Sequence, residues 1–153
     1  MKKVFVGVVI FLFAVLLFSV SVKAENTFTG TWKTISDEGI DKGKPKAHVE
    51  IFDKNGTYFG KVIKLLLKPQ DTLCDKCEGD LKNKPVVGMI ILQNMKKSGK
   101  VDEEFGDEYA GGTIMDPDNG KTYKSKMWVK GDVLTSRGYI GFFYRTQRWF
   151  RVK

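Results

Sequence analysis

The chain has 153 residues, of which 26 are lysine or arginine and 18 are aspartate or glutamate, and its net charge is +8 at pH 7. Its basic residues are scattered among acidic ones, whereas a nucleic-acid-binding protein concentrates them on one face, so this pattern argues against nucleic-acid binding. We interpret the lysines as a solvated surface.

The N-terminus has the pattern of an apolar leader. Lys2 and Lys3 precede an uncharged run over residues 4–22, and short side chains surround Ala24. This layout is typical of a secretory signal peptide, so we expect cleavage after Ala24 and export to the periplasm or out of the cell. The alternative is a retained membrane anchor, since a run of about 19 residues approaches the length that spans a bilayer.

Cleavage of residues 1–24 would leave residues 25–153, which contain no evident linker or repeat and are expected to form a single domain. The leader carries three lysines and no acid, so the mature charge would be (26 − 3) − 18 = +5. A moderate positive charge of this kind favours an anionic ligand or anionic lipid head groups as partners.

Eight short segments rich in β-branched and aromatic residues follow the leader, and none keeps the apolar spacing of a helix over three turns. Turn sequences separate several of them, including D-K-N-G, D-P-D-N-G and K-G-D. Helices should therefore be few and short. The predicted strands span residues 28–35, 47–53, 57–66, 86–95, 109–116, 121–130, 133–142 and 145–152.

Alternation of side chains predicts which face of each strand is buried. In the segment 121–130, apolar residues such as Met127 and Val129 fall on one side, while lysines share the other side with Trp128. In the segment 47–53, Val49 and Ile51 oppose polar neighbours. Each strand therefore has one face for a core and one for solvent.

Eight antiparallel strands with one apolar face can remove their exposed edges by closing on themselves. We therefore predict an all-β fold, an eight-stranded antiparallel up-and-down barrel. A barrel of this size is either filled by side chains or able to hold one small ligand. Function is expected inside the barrel or at its mouth.

The first and last strands carry a recognisable combination of residues. Gly30 and Trp32 form a G-x-W motif, and Arg148 lies on the last strand. This combination resembles the signature of the calycin and lipocalin barrels, in which an arginine covers the tryptophan and closes the bottom of the barrel. The resemblance implies a cation–π contact worth about 0.5–2 kcal/mol. Arg145, on the opposite face of the strand, is an alternative to Arg148.

Longer motifs extend the resemblance over almost the whole mature chain. They include LCDKCEGDLKNKPVVGMIIL and GGTIMDPDNGKTYKSKMW, and they resemble a secreted bacterial family known as domain of unknown function 2147. Its members are similar to calycin barrels and have no assigned reaction, so the resemblance implies a fold and no chemistry. The family sequence R-T-Q-x-W favours Arg145 as the residue over the tryptophan.

Cys74 and Cys77 are the only cysteines of the chain. A structural zinc site takes four ligands, and only His48 is available besides this pair. A redox C-x-x-C pair needs a helix after it, and the sequence EGDLKNKP that follows contains helix breakers. In an exported protein we expect an intramolecular disulfide that tightens the loop 67–85.

Three other candidate motifs are weaker. His48 is the only imidazole, has no serine beside it, and is expected on a strand surface, so we predict no catalytic residues. The sequence around D-P-D-N-G-K-T lacks the spacing of a P-loop and the ligands of a calcium loop, which leaves a hairpin turn and no metal site. The acidic residues at 102–108 are expected to form a solvated loop.

Aromatic and methionine side chains could line a cavity or fill the barrel, and the sequence leaves both alternatives open. The set comprises Trp32, Phe52, Tyr58, Met89, Met115, Tyr123, Met127, Tyr139, Phe143 and Trp149.

The preferred hypothesis is a non-enzymatic, cofactor-free barrel that binds a small, partly apolar ligand, and an acidic group on that ligand is one option. The predicted ligand-binding residues are Arg137, Tyr139, Arg145, Gln147, Trp149, Tyr123, Lys121 and Met127. The alternative is an envelope interaction module with a solid core, which would contact a membrane surface or an envelope protein through an exposed Trp128 and the apolar turn 141–144. An enzyme is the third hypothesis.

Overall fold

Eight antiparallel strands close a barrel in the computed structural model, which describes residues 26–153. Each strand pairs with the next, and the last pairs with the first through Trp32 opposite Arg151. The predicted up-and-down barrel is confirmed, while the expected signal peptide lies outside the described residues. The strands are β1 (Gly30–Ile35), β2 (Pro45–Lys54), β3 (Thr57–Leu65), β4 (Ile90–Asp102), β5 (Gly106–Asp116), β6 (Lys121–Lys130), β7 (Val133–Ile140) and β8 (Phe143–Arg151).

One face of each strand is buried and the other is more exposed, as the alternation of side chains predicts. In β2, Val49 and Ile51 are buried while His48 and Glu50 are partly exposed. The expectation of an exposed Trp128 is wrong. This residue lies on the outer face of β6 but is only 6% exposed, because the Phe105 ring and the Arg137 guanidinium cover it.

The strand boundaries differ most from the prediction at β4 and β5. Residues 86–89 belong to a loop, because Gly88 has a positive φ of 93° that turns the chain before β4 begins. The acidic segment 102–108 is a loop only at its centre. Asp107 and Glu108 lie in β5, and Glu108 is buried 3.8 Å from the Lys126 amine.

The barrel is closed at the end where β1 begins, and the covering arginine is Arg151. Its guanidinium lies 4.2 Å from the centre of the Trp32 ring and donates to the Thr29 carbonyl at 3.1 Å. Gly30 adopts φ +118°, and a Cβ there would lie 3.0 Å from the Arg151 side chain, so the motif glycine leaves room for this contact.

The proposals of Arg148 and Arg145 for this closing contact are wrong, and strand alternation explains why. Side chains at 149 and 151 share the inner face of β8, so Arg148 points outwards, where it is exposed opposite Thr135. Arg145 shares the inner face but lies six residues before Arg151, at the opposite end of β8 from the residue that pairs with Trp32.

The other end of the barrel carries the longer loops, at residues 36–44, 66–89 and 117–120. Short 3-10 helices at Gly39–Asp41 and Gly79–Leu81 are the only helical segments among residues 26–153. No helix in that range is long and apolar enough to cross a membrane.

The predicted disulfide between Cys74 and Cys77 is confirmed, and both residues are buried. Backbone hydrogen bonds between Cys74 and residues 83 and 84 fold the loop 66–89 back on itself. The turn at Gly120 packs against it, since a Cβ on Gly120 would clash with the Lys76 carbonyl at 1.9 Å.

Candidate functional site

A cavity of about 830 Å³ opens between the loops at the end of the barrel opposite Trp32. The barrel is thus hollow in the half near these loops and filled in the half near Trp32. The deeper walls are apolar and consist of Ala47, Val49, Val62, Leu65, Val86, Ile91, Ile114, Met115 and Trp149. The other half is filled by buried side chains, among them Trp32, Leu92, Met95, Met127 and Leu134.

A chain of polar side chains follows one wall from the interior to the mouth. The Trp149 indole donates to the Gln147 side-chain oxygen at 3.4 Å, and the Gln147 amide donates to the Asp37 carboxylate at 2.9 Å. Arg145 donates to both oxygens of the same carboxylate, and its guanidinium also lies 3.3 Å from Glu38. Arg145, the basic residue best placed in the cavity, is thus already paired with the Asp37 carboxylate.

Hydrogen bonds and charge pairing lower the pKa of Asp37. Burial raises the pKa of this carboxyl, but the hydrogen bonds from Arg145 and Gln147 outweigh burial and hold the pKa below its ordinary value. The pKa of Arg145 is raised, mainly by its hydrogen bonds to Asp37. Both groups are therefore charged over the physiological pH range.

Two lysines at the mouth are paired in the same way. The Lys46 amine lies 2.7 Å from Asp118 and 3.7 Å from Asp116, and the Lys68 amine lies 2.8 Å from Asp118. Burial lowers the pKa of Lys46, but its contacts with Asp118 and Asp116 prevail and raise it. Because these residues come from β2, β5 and the loops on either side, the pairs tie the mouth together.

Four of the eight predicted ligand-binding residues line the cavity, namely Tyr123, Arg145, Gln147 and Trp149. The other four do not. Met127 faces inwards but is packed in the filled half, and Lys121 is exposed at the start of β6. Arg137 and Tyr139 face outwards on β7, because the inward positions of that strand are taken by Ser136 and Gly138.

Arg137 instead belongs to an aromatic stack on the outer wall. Its guanidinium lies 5.2 Å from the Phe105 ring, 5.1 Å from the Trp128 ring and 4.7 Å from the Tyr144 ring. A hydrogen bond to Thr146 holds it there. The residue therefore stabilises the outer surface.

The remaining aromatic and methionine candidates are spread over the cavity, the buried core and the outer wall. Met115 lines the cavity, and Phe143 lies at its mouth, where it is 81% exposed. Met89 is buried in the core, and Tyr58 packs at the closed end against Phe28. Phe52 points outwards and stacks on Phe59.

The only histidine of the chain lies on the outer wall. His48 pairs across the sheet with Lys33 and Lys64, and burial together with these two charges lowers its pKa. It is therefore separated from the hydroxyl groups of the cavity by the barrel wall. Among the described residues, no group of three or more histidine, cysteine or acidic side chains is placed to hold a metal ion.

Sequence reasoning missed the acidic half of the site. Asp37 lies in a loop, carried no pattern of its own and is 108 positions from the arginine it pairs with. Asp118 belongs to the D-P-D-N-G segment, which we interpret from the sequence only as a hairpin turn. A weak signal existed for Lys46, since it precedes the buried run of β2 and lies at the end where the longer loops gather. Pairing across loops of this length becomes visible only in three dimensions.

An apolar rim surrounds the mouth of the cavity. Ile40 is 94% exposed, and Leu73, Ile140, Phe143 and Tyr144 are also exposed around the same opening. The apolar surface of the rim therefore continues into the apolar walls of the interior.

The closed barrel, the arginine over the tryptophan and the half-hollow interior define a lipocalin-like barrel. The chain belongs to the family described as "Uncharacterized protein conserved in bacteria (DUF2147)", which matches residues 30–151, and the predicted family is thereby confirmed.

A solved structure supports the fold assignment. The chain is similar to a structure described as "Protein HP1028 from the human pathogen Helicobacter pylori belongs to the lipocalin family", with 21% identity and a TM-score of 0.69. The similarity covers 84% of this chain and 85% of that one. No curated protein matches the sequence.

Proposed function

We propose that this protein is an exported, non-enzymatic binding protein that holds one small, mostly apolar molecule inside its barrel. The observation that carries the proposal is the open cavity of about 830 Å³. Cavities that hold small molecules typically measure about 300–1,000 Å³, with mostly apolar walls and a few polar groups. Burying an apolar molecule there releases about 25 cal/mol per Å² of apolar surface removed from water.

Binding is favoured over catalysis by the groups that reach the cavity. The Thr34 hydroxyl is bonded to the backbone of Ala47, and the Tyr123 hydroxyl accepts a hydrogen bond from Asn119. Ser136 also lines the cavity, but the only imidazole of the chain is on the outer wall. A hydroxyl nucleophile needs a base within hydrogen-bond reach, and these hydroxyl groups have no histidine near them.

Export is part of the proposal and has two supports. The first is the signal-peptide pattern at residues 1–24. The second is the disulfide between Cys74 and Cys77, since disulfides persist in oxidising compartments.

The test is a titration with N-phenyl-1-naphthylamine, a neutral apolar dye that brightens when it leaves water. We expect one dye molecule to bind per chain. Ser136→Phe should weaken dye binding by about tenfold or more, equivalent to about 1.4 kcal/mol, because the new ring occupies cavity space. Thr122→Phe is the matched control, since Thr122 is exposed on the neighbouring strand. Equal affinity of the two variants, or no brightening with the parent protein, would contradict the proposal.

Docking to an envelope surface is a second candidate function, favoured by one observation. Phe142, at the tip of the turn between β7 and β8, is fully exposed, and its neighbour Phe143 is nearly so. Exposed apolar clusters often mark contact surfaces. Phe142→Ser should abolish sedimentation with lipid vesicles and leave dye binding unchanged, and unchanged sedimentation would remove this candidate.

A further inference from the structure

We infer that the ligand's polar end carries no negative charge. A ligand carboxylate or phosphate would need Arg145 as its cationic partner, and Arg145 is already paired with Asp37. The inference rests on the proposed function and narrows the ligand to neutral or cationic amphiphiles. It replaces the sequence-based expectation of an acidic group.

Arg145 is the basic residue best placed to meet a ligand at the mouth. Its guanidinium makes a two-pronged contact with both oxygens of Asp37, the geometry in which a guanidinium binds carboxylates most strongly. Glu38 lies 3.3 Å from the same group, and Gln147 fixes Asp37 from the other side. A ligand anion would have to displace a carboxylate that is already bound twice.

The other basic residues at the mouth are less well placed. Lys76 makes no ion pair among residues 26–153 but is exposed to solvent, and the two remaining lysines are already paired. Lys46 and Lys68 share Asp118, and Lys46 also contacts Asp116. Four basic residues line the cavity against five acidic ones, so its lining has a net charge of 4 − 5 = −1. The acidic residues are Glu38, Asp41, Asp75, Asp116 and Asp118.

This local charge is opposite in sign to the charge of the protein. The chain as a whole has a net charge of +8, which by itself would predict anionic ligands. The positive excess lies elsewhere, on outward-facing residues such as Lys33, Lys64 and Lys124. Net charge therefore predicts the wrong class of ligand for the cavity.

The test compares three ten-carbon probes, 1-decanol, decylammonium and decanoate, at pH 7. A change in the fluorescence of Trp149, which lines the cavity, reports binding of each. We expect decanol and decylammonium to bind at least about fivefold more tightly than decanoate, as expected for one unfavourable charge contact near a protein surface. Preferential binding of decanoate would overturn the inference while leaving the proposed function intact. Failure of all three probes would overturn both.

A pair of variants tests the role of Asp37 directly. Asp37→Asn leaves Glu38 as the only carboxylate beside Arg145, so decanoate affinity should rise about fivefold while decanol affinity stays the same. Asp132→Asn is the matched control, because it removes the same charge and also takes a carboxylate from an arginine, Arg151, at the closed end. It should leave decanoate affinity unchanged. Equal gains in the two variants would contradict the assignment.

A third variant keeps the test decisive if Asp37→Asn folds poorly. Arg145→Met leaves Asp37 without its cation, so decylammonium should bind about fivefold more tightly and decanoate more weakly. An unchanged order of the three probes in this variant would overturn the inference.

Discussion

At the residue scale, the contact between Trp32 and Arg151 that closes the barrel should make a clear contribution to the free energy of unfolding. Trp32 is fully buried, so Trp32→Ala should cost about 3–5 kcal/mol of unfolding free energy. Arg151→Met should cost about 1–3 kcal/mol, since it removes the cation–π contact and two hydrogen bonds to backbone carbonyls. Urea unfolding measures both.

Arg148 provides the control for this prediction. Arg148→Met should change the unfolding free energy by no more than about 0.5 kcal/mol, because the residue is exposed on the outer wall. The double variant of Trp32 and Arg151 should lose less than the sum of the single losses, since the two share one contact. A larger loss at Arg148 than at Arg151 would show that the closing arginine has been misassigned.

The sequence contained most of the information needed to choose the right arginine. Trp149 is an apolar residue on the last strand, and alternation places Arg151 on the same face. What the sequence could not supply was the register between β8 and β1, which sets Arg151 opposite Trp32. Register depends on the lengths of all the intervening strands and turns.

Asp37 should make the free energy of unfolding depend on pH in the acidic range. Its pKa is below the ordinary value of 3.8, so its ion pair contributes fully above that pH and is lost as the pH falls through the lowered pKa. The stability difference between the parent and Asp37→Asn should therefore be larger at pH 6 than at pH 2.5. A constant difference for Asp37→Asn would rule out this linkage.

At the element scale, the disulfide should act on one loop. The bond between Cys74 and Cys77 closes a loop of four residues, so replacing both by serine should cost only about 2 kcal/mol of unfolding free energy. Hydrogen exchange should accelerate in residues 66–89, which the bond organises, and in the turn 117–120 packed against them. Amides of β1 and β8 near Trp32 serve as the internal control. Faster exchange there as well would mean that the bond supports the whole barrel.

The sequence predicted the strands well where turn residues marked their ends. The turn before β3 contains Asn-Gly and the turn before β7 contains Gly-Asp, and both strands begin at the predicted residue. The prediction was weakest around β4. There the apolar residues 86–89 are buried in a loop, and the exposed end of the strand at 96–102 has no apolar alternation to reveal it. Burial without regular backbone pairing cannot be distinguished from a strand in a single sequence.

At the scale of the whole molecule, the sequence could predict a closed barrel but not whether it was hollow. Inward-facing residues are large in one half, such as Met95 and Met127, and smaller in the other, such as Ala47 and Ser136. Which residues face each other depends on the stagger of the strands around the barrel. Whether the loops cover the mouth depends on their folded shape, which the sequence motifs did not define.

The most direct test of ligand binding inside the barrel is a crystal structure of the complex with 10-bromo-1-decanol. The bromine gives an anomalous signal that locates the end of the alkyl chain. We predict one bromine peak deep in the cavity beside Val62, Ile91 and Trp149, with the hydroxyl end towards the mouth. A bromine peak only on the outer surface, or an empty cavity at saturating ligand, would contradict the account.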